Sequence, residues 1–179
     1  MPAWDQYGDI VLVALLAGVP VGAIVTLALG QGRIDRGWER RWAWRASVAE
    51  VAIVVGTLPG LWMLLAPRHG GSRVDLVPFH DLVDLMSDSD AAAQIVGNLL
   101  AFAAVGFFLP IRLRLARPAL VPLAIALIVA ALSLTIEVLQ FVLDIGRVAS
   151  FDDIMLNIAG AVVACVASIR WWRSRRGPA

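Results

Sequence analysis

Apolar residues in this chain do not alternate with polar ones; they run in long blocks. Five stretches, approximately Ile10–Leu29, Ala46–Ala66, Ala91–Ile111, Pro118–Phe141 and Asp153–Ile169, are predominantly apolar. A hydrocarbon layer of about 30 Å is crossed by roughly 20 apolar residues of helix, within a range near 17–25. Each stretch meets that length. Lipid offers no partner to a backbone amide, so a span satisfies its hydrogen bonds internally, as a helix does. The pattern therefore predicts an all-α polytopic transmembrane helix bundle of about five spans.

The connections between blocks alternate in charge. Residues 31–45 carry Arg33, Arg36, Arg40, Arg41 and Arg45 against Asp35 and Glu39. Residues 67–90 are the reverse, with Asp75, Asp81, Asp84, Asp88 and Asp90 against Arg68 and Arg73. Arg112, Arg114 and Arg117 follow without an acid, 144–152 is mildly acidic around Arg147, and the tail holds Arg170, Arg173, Arg175 and Arg176. Arginine-rich segments are retained in the cytoplasm. That rule places the N-terminus outside and the C-terminus in the cytoplasm, and no segment conflicts with it. Trp38, Trp42 and Trp44, with Trp171 and Trp172, then form a cytoplasmic aromatic belt. The first nine residues hold Asp5 and Asp9 and no basic residue, so the first block reads as a retained span rather than a signal peptide.

Composition agrees with the block pattern. Hydrophobic residues make up 60% of the 179 and charged ones 16%, with a mean hydropathy of +0.80. A soluble domain of this length could not bury that much apolar surface. All basic residues are arginine, which carries no mechanistic weight. A single cysteine, Cys165, excludes an intrachain disulfide and reads as a small packing residue. Small residues at four-residue spacing, Gly18 and Gly22 and then Gly160, Ala164 and Ser168, allow close helix approach. Residues 75–86 (DLVPFHDLVDLM) are too short and too charged to span; they suit a helix or re-entrant turn at the outer interface.

Polar side chains inside spans are costly and mark either helix–helix contacts or a functional cavity. Helix three carries Gln94 and Asn98, helix four Ser133, Glu137 and Gln140, and helix five Asp153 and Asn157. Within each helix these residues are three or four apart and share a face. All fall in the outer half of the bundle, beside Arg147 and Asp152. One reading is interhelical hydrogen bonding, which suits Gln94 and Ser133; the other is a site formed by Glu137, Gln140, Arg147, Asp153 and Asn157. Glu137 faces either Arg147 or amides alone. Glu50 reads as an interfacial neighbour of the arginines.

Other chemistry is not encoded. His69 and His80 lack metal-ligand spacing. There is no nucleophile elbow, phosphate-cradling glycine run or catalytic triad. The arginines serve topology and anionic lipid rather than nucleic acid.

Val77–Phe79 (VPF), Gly97–Phe102 (GNLLAF) with Gly106 and Pro110, Ser133–Gln140 (SLTIEVLQ) and Arg147–Gly160 (RVASFDDIMLNIAG) resemble, in that order, the VanZ family. These are small multi-pass proteins first associated with low-level resistance to teicoplanin. The family commonly has an asparagine shortly before its Val-Pro-Phe, where this chain has Asp75 nearby. The resemblance lies in a VanZ-like three-helix portion (71–179), whereas the two N-terminal helices with their Arg/Trp-rich cytoplasmic loop (1–70) match only in being apolar. It points at Asn98, Glu137, Gln140, Arg147, Asp153 and Asn157.

The leading expectation is a non-catalytic protein of the bacterial plasma membrane, without cofactor or bound metal. Its outward pocket, including Asp152, would hold membrane lipid, a lipid-linked cell-wall precursor or a lipoglycopeptide. A homo-oligomer is compatible and nucleic acid is not expected. Two alternatives stay open. An enzyme acting on a lipid or polyprenyl head group would use Glu137 as general acid or base, with Asp153 and Asp152 beside Arg147 holding a phosphate or a metal. A small transporter or flippase would use Glu137 as its carrier group.

Overall fold

The computed structural model describes residues 8–9, 12–67, 71, 73–75, 77, 89–113 and 118–173. The π-helical turn Ala14–Gly18 leads into α1 (Val19–Asp35), and α2 (Arg40–Leu65) returns beside it. Strand β1 (Arg73–Asp75) precedes α3 (Ser89–Ala101) and α4 (Ala103–Phe108), which break at Phe102 and end in the 3-10 turn Leu109–Ile111. A 3-10 turn at Pro118–Leu120 opens α5 (Val121–Val142). Strand β2 (Val148–Ser150) runs directly into α6 (Phe151–Ala167), and α7 (Ile169–Arg173) follows Ser168.

Four helices among the described residues are long and apolar enough to cross a membrane: Ala14–Asp35, Arg40–Leu65, Gln94–Ile111 and Pro118–Val142. The fifth expected crossing is α6, whose 17 residues stand at the lower limit for a span. It is the central helix of the bundle, in contact with α3, α4 and α5, whereas α2 packs on α1 and on the α3–α4 segment. The chain is an all-α polytopic membrane protein.

Lipid as the outer solvent explains which residues face inward. Leu15 and Leu16 in the π-helical turn, Ile24 and Leu27 on α1, and Leu123, Leu127 and Leu134 on α5 are exposed. The buried set is rich in small residues: Ala43, Ala46, Ala49, Ala101, Ala161 and Cys165, with Phe102, Ile125 and Val129. In hydrocarbon a large apolar side chain gains little by turning inward, so close packing of small residues holds helices together. Gly22 accordingly faces Val51 and Val55 of α2, as the first small-residue repeat implied. On its other side α2 brings Gly56 against Ala104 and Gly60 against the backbone of Ala101. The tightest crossings are reciprocal: Gly160 of α6 lies on the carbonyl of Leu99, and Gly106 of α4 on the carbonyl of Ala161.

The two ends of the bundle differ in chemistry. At one end Gly37, at φ +86°, makes the left-handed turn between α1 and α2 that glycine adopts without a side-chain clash. Arg33 donates to Ser47 Oγ (2.7 Å) and pairs with Glu50, which also holds Arg112 at 3.0 Å. One carboxylate thus ties the α1–α2 hairpin to the end of the α3–α4 segment. Arg45 donates to the Trp171 carbonyl and lies over the rings of Trp42 and Trp171, and Trp171 packs on Phe107 and Phe108. This is the arginine- and tryptophan-rich end. Arg114, Arg117, Arg175 and Arg176 lie outside the described residues, as do His69, His80 and all of 75–86 except Asp75 and Val77.

Candidate functional site

The opposite end gathers the C-terminus of α2, the start of α3, the end of α5 and the start of α6. Its geometry follows from two helix termini that stop within the protein. The last carbonyls of a helix have no intrahelical donor and carry the negative end of its dipole. In α2 the Leu64 carbonyl accepts from Gln140 Nε2 at 2.8 Å, and the Met63 carbonyl from Arg147 Nη1 at 3.0 Å. Two side chains from distant sequence therefore close the end of α2.

The start of α6 needs acceptors instead. Ser150 is its N-cap, with the hydroxyl accepting from the Asp152 amide at 3.2 Å. The Ser150 amide itself donates to Glu137 Oε2 at 3.0 Å. Asp152 and Asp153 occupy the first turn, where acids favour the helix dipole. Asp153 Oδ1 accepts from Asn98 Nδ2 at 2.5 Å and from Gln94 Nε2 at 3.3 Å, joining α6 to α3. One turn deeper, Asn157 Nδ2 donates to Ser133 Oγ at 2.8 Å, joining α6 to α5.

A parallel strand pair covers this end. β1 pairs with β2 in the register Arg73↔Val148, Val74↔Ala149 and Asp75↔Ser150. The pairing sets half-buried Asp75 beside the α6 cap, and Asp75 Oδ1 accepts from the Val77 amide at 2.9 Å.

The structure places all seven residues of the expected cluster at this end, and all are buried: Asn98, Glu137, Gln140, Arg147, Asp152, Asp153 and Asn157. Asn98 and Asp153 bond to each other, while Glu137, Gln140, Arg147 and Asn157 reach other partners. Gln94 and Ser133 make the interhelical bonds expected of them. Sequence reasoning missed Ser150 and the Met63 and Leu64 carbonyls. The serine was detectable, since Ser-Phe-Asp-Asp has the cap and the acidic first turn of a helix start.

Two acceptors in the cluster, Gln140 Oε1 and Asn157 Oδ1, are buried and have no hydrogen-bond donor among the described residues. Gln140 is 1% exposed and Asn157 0%.

The fold and this end together define a polytopic helical membrane protein with a buried, acid- and amide-lined polar cluster at one end. A family model described as VanZ/LLP1 matches residues 51–172. The chain belongs to the VanZ family. The match is wider than the 77–160 stretch that carried the resemblance: it begins within α2 and takes in both helix termini that frame the cluster. Searches of the curated proteins and of the solved structures found no match.

Proposed function

We propose that this protein is a non-catalytic component of the bacterial cell envelope, and that its polar cluster is an outward-facing pocket for a lipid-linked or lipid-tailed ligand. The observation that carries this reading is a pair of buried amide oxygens with no hydrogen-bond donor among the described residues, within a cluster drawn from three helices. Interhelical bonding alone would leave fewer such groups, because an unsatisfied polar atom is expensive where water is scarce. The cluster also lies at the end away from Arg33, Arg45 and Arg112. With arginines retained in the cytoplasm, the pocket opens in the outer leaflet, at the depth of lipid head groups.

Teicoplanin carries an acyl chain and acts at the membrane, so the resistance associated with the family suits a pocket that competes for, or shields, a lipid-tailed molecule. The test is expression in a susceptible host of the wild type, Glu137→Gln and an empty vector. The expected result is reduced teicoplanin sensitivity for the wild type alone, with vancomycin sensitivity little changed. Equal sensitivity of all three strains to both drugs would sink the proposal.

A further inference from the structure

At the end of the bundle opposite the polar cluster, Arg45 is a cation that the protein leaves short of a counter-charge. Its side chain is half-buried, with the guanidinium 5.6 Å from the ring centre of Trp42 and 5.1 Å from that of Trp171. A ring face attracts the cation but supplies no oxygen for its N–H groups. Nη2 donates to the Trp171 carbonyl; Nε is buried without an acceptor, and Nη1 has none among the described residues although it is not sealed off. No carboxylate answers the charge. Among the described residues Glu50 is shared by Arg33 and Arg112, Asp35 accepts from Gln31, and Glu39 pairs with neither Arg41 nor Arg45. Arg41, exposed and one turn earlier on the same face of α2, adds a second cation without an ion pair there. Like charges four apart on a helix repel, so the two favour an anion that both can reach. A charge drawn partly out of water is costly without one. The surroundings narrow the anion's identity. Trp171 packs on Phe107 and Phe108, and Val48, three residues further along α2, is an exposed apolar side chain. The two arginines thus stand where a lipid-facing surface gives way to a tryptophan belt, at the depth of head groups.

We infer that Arg45 and Arg41 form a binding site for an anionic phospholipid, whose phosphate takes N–H donors from both guanidinium groups while its acyl chains lie along the exposed apolar surface of α2. Such a head group arrives sideways from the bilayer, and arginine's planar fork suits phosphate oxygens. The purified full-length chain in detergent would be titrated with dioleoyl phosphatidylglycerol and dioleoyl phosphatidylcholine and followed by native mass spectrometry. The expected result is phosphatidylglycerol held about tenfold more tightly, the worth of roughly one charge-assisted hydrogen bond. Both lipids carry a phosphate and the same tails, so the preference reads the uncompensated negative charge. Arg41→Gln should cut it to about threefold or less, and Arg45→Gln should erase it. Arg41 makes no side-chain bond among the described residues, so its replacement leaves the Arg45–Trp171 contact in place even if Arg45→Gln loosens the fold. Arg36→Gln, which removes an exposed arginine at the end of α1, should leave the preference intact. Glycerol 3-phosphate at millimolar concentration should not displace the lipid, because it lacks the tails. Equal retention of the two lipids, or a preference that Arg41→Gln leaves unchanged, would overturn the site. Equal loss in Arg36→Gln and Arg41→Gln would reduce it to diffuse surface charge, and displacement by glycerol 3-phosphate would overturn the lipid as its occupant.

Discussion

Gly160→Val should abolish recovery of folded protein, and Gly160→Ala should lower stability by about 3 kcal/mol or more, at or above the upper range for overpacking. A Cβ at this position would fall on the carbonyl of Leu99. A carbonyl in a helix cannot swing aside as a side chain does, so α6 would have to withdraw from α3. That withdrawal would also open the reciprocal contact of Gly106 on Ala161 and pull Asp153 from Asn98. Gly32→Ala is the control: it lies on the same chain but has only the end of the Arg36 side chain nearby, at 3.6 Å. Thermal unfolding in detergent, followed by tryptophan fluorescence, should show near-wild-type behaviour for the control and a large loss for Gly160→Ala. A Gly160→Ala protein as stable as the control would mean that α6 and α3 do not cross at backbone contact.

Asp153→Leu should be the most damaging single change among the polar residues, at about 2–4 kcal/mol, because it strands the buried Asn98 amide, at roughly 1–3 kcal/mol, and the half-buried Gln94 amide beside it. Hydrogen bonds between membrane helices average less, near 0.6 kcal/mol, since the unfolded helices find other partners in the bilayer. Asp153 exceeds that average because one carboxylate oxygen serves both Asn98 and Gln94. Asp153→Asn keeps an acceptor and should recover part of the loss. The double variant Asn98→Leu/Asp153→Leu should cost less than the sum of its parts by about 1–2 kcal/mol, the coupling of residues in contact. Strict additivity in reversible unfolding would show that the Asn98–Asp153 bond adds nothing to the fold.

These effects rest on features the sequence exposed unequally. The spans were readable because a bilayer demands an uninterrupted apolar run, and no other physical situation demands one so long. Even so, α1 continues to Asp35 and α2 begins at Arg40, beyond the apolar blocks at both ends. Hydropathy marks where lipid touches the helix, whereas helical hydrogen bonding continues into polar residues. The cluster was readable because Ser133, Glu137 and Gln140, and Asp153 and Asn157, repeat at helical spacing inside apolar surroundings. What Gln140 and Arg147 do there was not readable, because their partners are backbone carbonyls of Leu64 and Met63, far away in sequence and with no signature of their own. The β1–β2 pair was hidden for a similar reason. Three residues per strand are too few for an alternation to register, and only the pairing between distant loops defines them. Gly56 and Gly60 stand four apart, as Gly18 and Gly22 do, yet their contact with Ala104 and Ala101 became visible only in the packing.

Everything proposed for the polar cluster depends on which side of the membrane it faces. Gly71 lies just before β1, exposed and with open space around it, and Trp38 is exposed in the turn between α1 and α2 at the opposite end. In a Cys165→Ala background, Gly71→Cys and Trp38→Cys would each provide a single thiol for a membrane-impermeant maleimide. The account predicts that Gly71→Cys labels in intact spheroplasts and that Trp38→Cys labels only after permeabilisation. The reverse pattern would place the cluster in the cytoplasmic leaflet and contradict an outward-facing pocket.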